Sequence, residues 1–410
     1  MQLIIHCGTH QIGGSCVEIR SKSARIVIDI GAPLEEKSEK KFPEVKGLYK
    51  WDKDSKPVDA VLISHSHLDH HGFLPYINPD IPVYASKGCK ELLGVMYYLD
   101  QSGYDPHDVR AVPSWCKFFI SDITVTPYLV DHSAPDAFAY EIKADGKKIF
   151  YSGDFRGHGK KKVLYKYMLK NPPKDIDVLI IEGTTIDRND EVIRSEDDVE
   201  KELVKLFKEK KQLIMFSCSH QNIDRLTVLY NACLKTGRTL VMIPYTAYIL
   251  DKLKILSKKL PHYDMPQIRV FFERSRYTSK ILSDKGLMVR LRKSKISYEE
   301  IMADKENMVV LDSHFVRTQF GKRGYLKKAL LVYSLWEGYL KDAAKFWNDH
   351  KVRIKKVHVS GHASVAQLKM FIKSIAPIKI VPMHTQNPER FRELFGEKVT
   401  VLSDGQGMEI

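Results

Sequence analysis

Residues Ser64-His65-Ser66-His67-Leu68-Asp69-His70-His71-Gly72 place four histidines and one aspartate within seven positions, directly behind the apolar run Val58-Asp59-Ala60-Val61-Leu62-Ile63. That run reads as a buried strand emptying into a loop. Neutral imidazole nitrogens suit zinc or another borderline divalent ion, and a carboxylate among them adds a harder ligand to the same place. A polar surface turn has no use for the spacing His-x-His-x-Asp-His, and a histidine tract that merely scavenges metal would lack it. The stretch therefore constrains the fold, because further ligands have to be delivered to the end of this strand from elsewhere in the chain.

Such deliveries are visible. The strand Arg25–Ile30 ends on Asp29 ahead of Gly31, Ile123–Leu129 runs into Val130-Asp131-His132, Lys148–Tyr151 into Ser152-Gly153-Asp154, Val178–Ile181 into Glu182, and Ile378–Met383 into His384. Histidine and aspartate thus recur at strand ends, where α/β sheets place their chemistry. His65, His67, Asp69, His70, His132, Asp154 and His384 make seven candidate ligands. Seven suffice for two ions bridged by one carboxylate and a water, a pair suited to clamping the oxygens of an in-line displacement at phosphorus. A buried Asp29 would persist only if bonded or near a cation; it reads either as an aspartate orienting a metal histidine or as a plain strand-ending turn. His6 and His10 lack partners at ligand spacing and read as structural, and His158 reads as a solvated loop residue.

At 410 residues the chain exceeds the roughly 250–300 at which a single core stops growing, so a second domain or an insertion is expected. Helix and strand alternate through 190–350, which reads as an inserted parallel-sheet domain. Within it Asn222 or Ser219 is placed to cap the helix that follows the loop 217–221. The closing part reads as a strand through Val357–Val359 into a turn at Gly361, a strand ending at His384, and a last strand over Lys398–Leu402; a helix is read as beginning over Gly72 to Tyr76 and ended by Pro79 and Pro82. No apolar run approaches the roughly 18 residues of a membrane span, and the first residues lack a signal peptide's basic start, so a cytoplasmic protein without membrane association is expected. Six scattered cysteines without a Cys-x-x-Cys pair argue against a disulfide framework and a zinc finger. A net charge of +14 favours polyanionic partners. Between Asp251 and Lys295 thirteen Lys/Arg face four Asp/Glu, a stripe for a nucleic-acid backbone or a solvated helix face.

Taken in order, these residues resemble the metallo-β-lactamase superfamily and, more narrowly, its β-CASP nucleic-acid-processing branch. Asp29, the His65-to-His70 motif, His132 and Asp154 match the four general motifs. Glu182 resembles the branch's first extra motif, His362 within His358-Val359-Ser360-Gly361-His362-Ala363 the second, and His384 within Pro382-Met383-His384-Thr385 the third. The resemblance implies an α/β fold, a four-layer αβ/βα sandwich made by residues 1–186 and 348–410, with 187–347 as the inserted parallel-sheet β-CASP domain. It assigns His65, His67 and His132 to one zinc, Asp69, His70 and His384 to a second, Asp154 to both, and Asp29 to orienting a ligand; Mn2+ or Mg2+ are admitted in place of one Zn2+. Glu182 and His362 join Asp69 and Asp154 as catalytic residues, with His362 as the acid that protonates the leaving oxygen. Ser219, His358, Ser360 and Gly361 would bind substrate phosphate. Histidine at the third extra motif is associated with RNA substrates, so the resemblance implies an RNase J-like ribonuclease with RNA as partner and leaves a homodimer open.

Three other functions compete. A DNA-directed β-CASP nuclease is the nearest, separable by matched RNA and DNA strands. A small-substrate metallohydrolase such as a thioesterase has no need of the insertion or of the Glu182/His362 pair. A non-catalytic RNA-binding scaffold would have lost ligands that are all present here.

Overall fold

Short apolar runs become strands, and the two faces of those strands decide the layers. The computed structural model describes residues 1–34, 41–100, 104–105, 108–188 and 194–410. It divides into two units, the first made of Met1–Tyr97, Gln101–Ile193 and Gly361–Ile410, the second of Arg194–Ser360 with Tyr98–Asp100.

The first unit contains two sheets. In one the strand order is Gln406–Glu409, Gln2–Cys7, Cys16–Arg20, Arg25–Ile28, Ala60–Leu62, Val83–Ala85, Val109–Ala111. In the other it is Lys379–Met383, Val178–Glu182, Lys147–Tyr151, Phe138–Ala144, Ile123–Leu129, Phe118–Ile120. Alternation along each strand sends one set of side chains between the sheets. Leu3, Ile5, Val17, Ile19, Ile26 and Ile28 there share a core with Ile123, Val125, Phe138, Tyr140 and Ile142. The other set meets helices. Val27, Val61, Ile63 and Val83 pack with Cys89 and Leu93 of helix Lys87–Asp100; Phe150, Leu179, Ile181 and Ile380 pack with Tyr165, Leu368, Phe371 and Phe391 from three helices of the outer layer. Helix, sheet, sheet, helix is the four-layer sandwich expected.

Parallel register brings the site together. Ile28 pairs with Leu62, so Asp29 and Ser64 leave adjacent strands side by side. Val178–Glu182 runs parallel to both Lys147–Tyr151 and Lys379–Met383, with Glu182 opposite Met383, so Asp154, Glu182 and His384 emerge from one sheet edge.

The second unit is a seven-stranded parallel sheet in the order Lys295–Ile296, Ile268–Phe271, Thr239–Met242, Met308–Leu311, Ile214–Ser217, Leu330–Tyr333, Arg353–Lys356. Asn222 caps helix Ile223–Thr236 by accepting from Arg225 N, and Arg225 closes a buried ion pair with Glu196 at 2.9 Å. Among the described residues no helix is long and apolar enough to cross a membrane.

Several local expectations are corrected. The expected strand at Val357–Val359 instead lies at Arg353–Lys356, where the ladder to Leu330–Tyr333 is complete, and the chain after Val357 is irregular. Lys398–Leu402 forms only a single bridge, Val399 to Ile380; the last strand is Gln406–Glu409, paired with Gln2–Ile5. Two glycines, Gly405 and Gly407, removed the strand signal there. Helix Leu68–His71 precedes the expected Gly72–Tyr76 helix, which shrinks to a 3-10 turn at Leu74–Tyr76 around Pro75. His158 is buried rather than solvated, its Nδ1 3.0 Å from Gln367 Oε1. His6 is structural as expected, 2.8 Å from the buried Glu18 carboxylate that Arg20 and Arg25 also hold.

Candidate metal centre

All seven candidate ligands converge in the first unit. His65, His67, His132 and Asp154 form one group, Asp69, His70 and His384 another, and within each group one ligand atom per residue lies within 4.8 Å of the others. A single oxygen, Asp154 Oδ2, stands between the groups, 3.7 Å from His65 Nε2, 4.0 Å from His132 Nε2, 3.3 Å from His70 Nε2 and 3.9 Å from His384 Nε2.

The outer ring nitrogens fix which nitrogen faces inward. His132 Nδ1–H donates to the carbonyl of Gly361 at 2.8 Å, so its Nε2 carries the lone pair. His70 Nδ1–H donates to Asp29 Oδ2 at 2.8 Å, which turns its Nε2 to the centre. Burial favours the neutral ring, but the Asp154, Asp29 and Asp69 carboxylates outweigh it and hold the ring well above the ordinary histidine range, so ligation would release its Nε2 proton. His65 Nδ1 sits 3.0 Å from Ser64 Oγ, and His384 Nδ1 sits 2.8 Å from Thr184 Oγ1. His67 turns its Nδ1 inward, 3.1 Å from His65 Nε2 and 3.2 Å from His132 Nε2. Three imidazole nitrogens thus meet within 3.2 Å of His67 Nδ1, a convergence that suits ligands of one cation. Two buried atoms at the centre, His70 Nε2 and Asp154 Oδ1, have no hydrogen-bond partner among the described residues, a state that native cores seldom leave uncompensated. Burial, reinforced by the neighbouring imidazoles, pushes His65 and His132 well below the ordinary histidine range, and burial takes His67 down to about 4. These rings are neutral, as ligation requires. The residues present therefore fit a divalent metal site.

Asp29 is bonded on both oxygens beside the candidate ligands. It occupies the left-handed region at φ 59°; its Oδ1 accepts from Ser64 N at 2.7 Å, and its Oδ2 accepts from Ser64 Oγ and Tyr151 Oη, each at 2.7 Å, besides His70. Outer partners of this kind typically contribute about 10–100-fold to metal affinity. Asp29→Ala is accordingly expected to weaken metal binding by about that factor, read by competition with a chromophoric chelator; unchanged affinity would mean that these bonds do not orient His70.

Beside the metal groups, Glu182 is bonded at both oxygens. Oε1 accepts from the backbone N–H of Phe155 and Ala363, each at 3.3 Å, and Oε2 accepts from Thr184 N and from His362 Nδ1, each at 3.2 Å. His362 Nδ1 is also 3.6 Å from Asp154 Oδ2, and the ring is partly open to solvent. Burial favours the neutral ring, but the Glu182 and Asp154 carboxylates outweigh it and hold His362 up at about 9.

The phosphate-handling candidates divide between the units. Gly361 belongs to the first through its carbonyl on His132. Ser219, His358 and Ser360 belong to the second, where Ser219 opens the turn before helix Ile223–Thr236. In the 251–295 stretch the cations lie outward or half-buried. The acids are drawn inward or into helix ends: Asp251 and Asp264 onto His262, Glu273 onto Ser275 and Thr278, and Asp284 onto Leu287 N.

Sequence reasoning missed Ser64, Tyr151 and Thr184, the hydroxyls that lock the ligands, although Ser64 and Thr184 flank motifs. It also missed the need for Gly31, where a Cβ would come within 1.7 Å of the Asp69 carbonyl oxygen. His71 turns away from the centre, its Nε2 on the Ser66 carbonyl at 3.2 Å.

Comparison with known proteins agrees with this geometry. Residues 39–214 match the family described as "Beta-lactamase superfamily domain", and 349–401 match "Zn-dependent metallo-hydrolase RNA specificity domain". The chain is 24% identical to an RNase J-like protein of Methanocaldococcus jannaschii, over 96% of this chain and 93% of that one. It is 22% identical to ribonuclease J of Mycoplasma genitalium, over 86% of this chain but 63% of that one. A protein of unknown function from Enterococcus faecalis has the same fold, with a TM-score of 0.80, 22% identity and 99% of each chain covered.

Proposed function

We infer that the chain is a member of the metallo-β-lactamase superfamily, in its RNase J-like β-CASP branch, and a metal-dependent ribonuclease hydrolysing RNA phosphodiester bonds. The observation that carries this reading is the Asp154 oxygen, which lies within 4.0 Å of ring nitrogens from both ligand groups, with the Glu182/His362 pair beside it. His65, His67 and His132 would hold one Zn2+, and Asp69, His70 and His384 the other, with Asp154 touching both. Bound there, two divalent ions supply Lewis-acid activation of water and neutralise charge on the scissile phosphate. The remaining work falls to side chains. Glu182, anchored by three backbone N–H groups, fixes the His362 ring, whose proton goes to the departing ribose oxygen. Gly361, and by resemblance Ser219, His358 and Ser360, handle flanking phosphate. The match of 349–401 to an RNA specificity domain, a stretch containing both His362 and His384, supports RNA over DNA.

The test is digestion of an end-labelled RNA and its sequence-matched DNA by the full chain, with and without chelator. RNA cleavage that chelator abolishes and added Zn2+ or Mn2+ restores is expected, with DNA cut far more slowly. Equal rates on both would move the assignment to the DNA-directed branch, and cleavage indifferent to chelator would remove the metal mechanism.

A further inference from the structure

We propose that an aromatic cluster in the first unit is a stacking platform for an unpaired base of single-stranded RNA, with Trp51 as its open face; the proposal rests on the ribonuclease reading. Phe42, Tyr49 and Trp51 come from the segment between strands Arg25–Ile28 and Ala60–Leu62, and Phe73 and Tyr76 follow directly on the metal loop. Trp51 lies flat on Tyr49, ring centroids 4.7 Å apart and planes within 6° of parallel. Phe42 meets Trp51 edge-on at 5.1 Å, and Phe42 in turn packs on Phe73 at 4.5 Å and Tyr76 at 4.9 Å.

Tyr49 and Phe73 are 4% and 2% exposed and belong to the core, but Trp51 is 52% exposed. One face of the indole is covered by Tyr49, and half of its surface stays in water. Singly exposed hydrophobic residues are ordinary. This one is held in a fixed plane by rings packed below and beside it, so little freedom is left to lose when a flat partner lands on it.

The surroundings select the partner. Lys41, Lys46, Lys50, Lys53 and Lys56 are exposed along the same segment, and Lys50 Nζ lies 5.4 Å from the centre of the Tyr76 ring. Over residues 41–56 these five lysines stand against three acids, Glu44, Asp52 and Asp54, of which Asp52 is turned back onto Gly47 N at 2.6 Å. An open indole face among lysines matches a nucleobase with phosphates on either side, and it accepts any base because every base has a π-face. A duplex keeps its base faces covered, so the platform favours single strands. It is also tied to the catalytic loop: Phe73 N donates to the Ile30 carbonyl at 2.9 Å, and Ile30 N donates to the carbonyl of His70 at 2.8 Å.

The experiment follows tryptophan emission and Kd of the full chain with its metals, titrated with a single-stranded 12-mer oligouridylate whose phosphorothioate linkages slow hydrolysis. Trp51→Leu, which keeps apolar bulk but removes the ring, is expected to weaken binding on the order of tenfold. It should also lose the part of the quenching that Trp51 contributes and raise KM on cleavable RNA. Trp51→Phe is expected to recover most of the affinity, and thermal unfolding of both variants monitors the fold. Wild-type affinity and quenching in Trp51→Leu would overturn the proposal while leaving the ribonuclease reading intact. Unchanged RNA affinity with an altered sedimentation coefficient would make the patch a self-association face and overturn it too. A wild-type chain that neither binds nor cuts RNA would instead sink the underlying reading, and the platform with it.

Discussion

Replacing Asp154 with alanine should lower RNA hydrolysis by at least about a thousand-fold, because the charge stabilisation of the proposed metal pair would be worth several kcal/mol and each 1.4 kcal/mol is tenfold. One carboxylate oxygen faces nitrogens of both ligand groups, so its removal leaves each group short of a ligand and strips the centre of negative charge. Asp154→Asn keeps the shape and loses the charge, and should be nearly as inactive. Elemental analysis should find the variants short of bound metal, and initial rates on end-labelled RNA give the loss. A rate within tenfold of wild type would show that Asp154 does not join the two groups.

His362→Ala should reduce kcat on RNA by about 10²–10⁴, the span usual for a general acid. The role can be separated from a structural one by changing the leaving group. A diester with a p-nitrophenolate leaving group needs no proton to depart, so on bis(p-nitrophenyl) phosphate the same variant should lose little. Glu182→Gln should show the same substrate dependence with a smaller loss. It keeps the side chain's length, but its amide nitrogen cannot accept where the carboxylate now takes four N–H donors. Equal losses on both substrates would reassign the pair to holding the backbone around Ala363.

How much of this was legible in the sequence differs by residue, for physical reasons. The candidate ligands His65 to His70, His132, Asp154 and His384 were readable as a converging cluster because each ends a run of strand-forming apolar residues, so local pattern and three-dimensional place coincide. Asp29 was half readable: its position at a strand end was visible, but the four hydrogen bonds that decide between orienting residue and turn come from Ser64, His70 and Tyr151, far along the chain. Gly31 looked like any strand-ending glycine, and its necessity arises only where the Asp69 carbonyl crosses it. Trp51 gave no signal, since aromatics at irregular spacing in a loop usually mean core. Gln406–Glu409 was hidden by its glycines, and the strand forms because Gln2–Ile5 offers it a free edge.

The order in which the ligands occur along the chain has a consequence for synthesis. His65, His67 and His132 are made early, but His362 and His384 come only after the whole Arg194–Ser360 unit has been translated. Val178–Glu182 likewise waits for Lys379–Met383 to become its neighbour. A nascent chain therefore carries six of the seven candidate ligands, but neither His384 nor the proposed general acid His362, while most of it leaves the ribosome. With both proposed roles missing, such a chain is expected to spare the messenger being read at that moment and to gain the ability to cut RNA only when translation is nearly over.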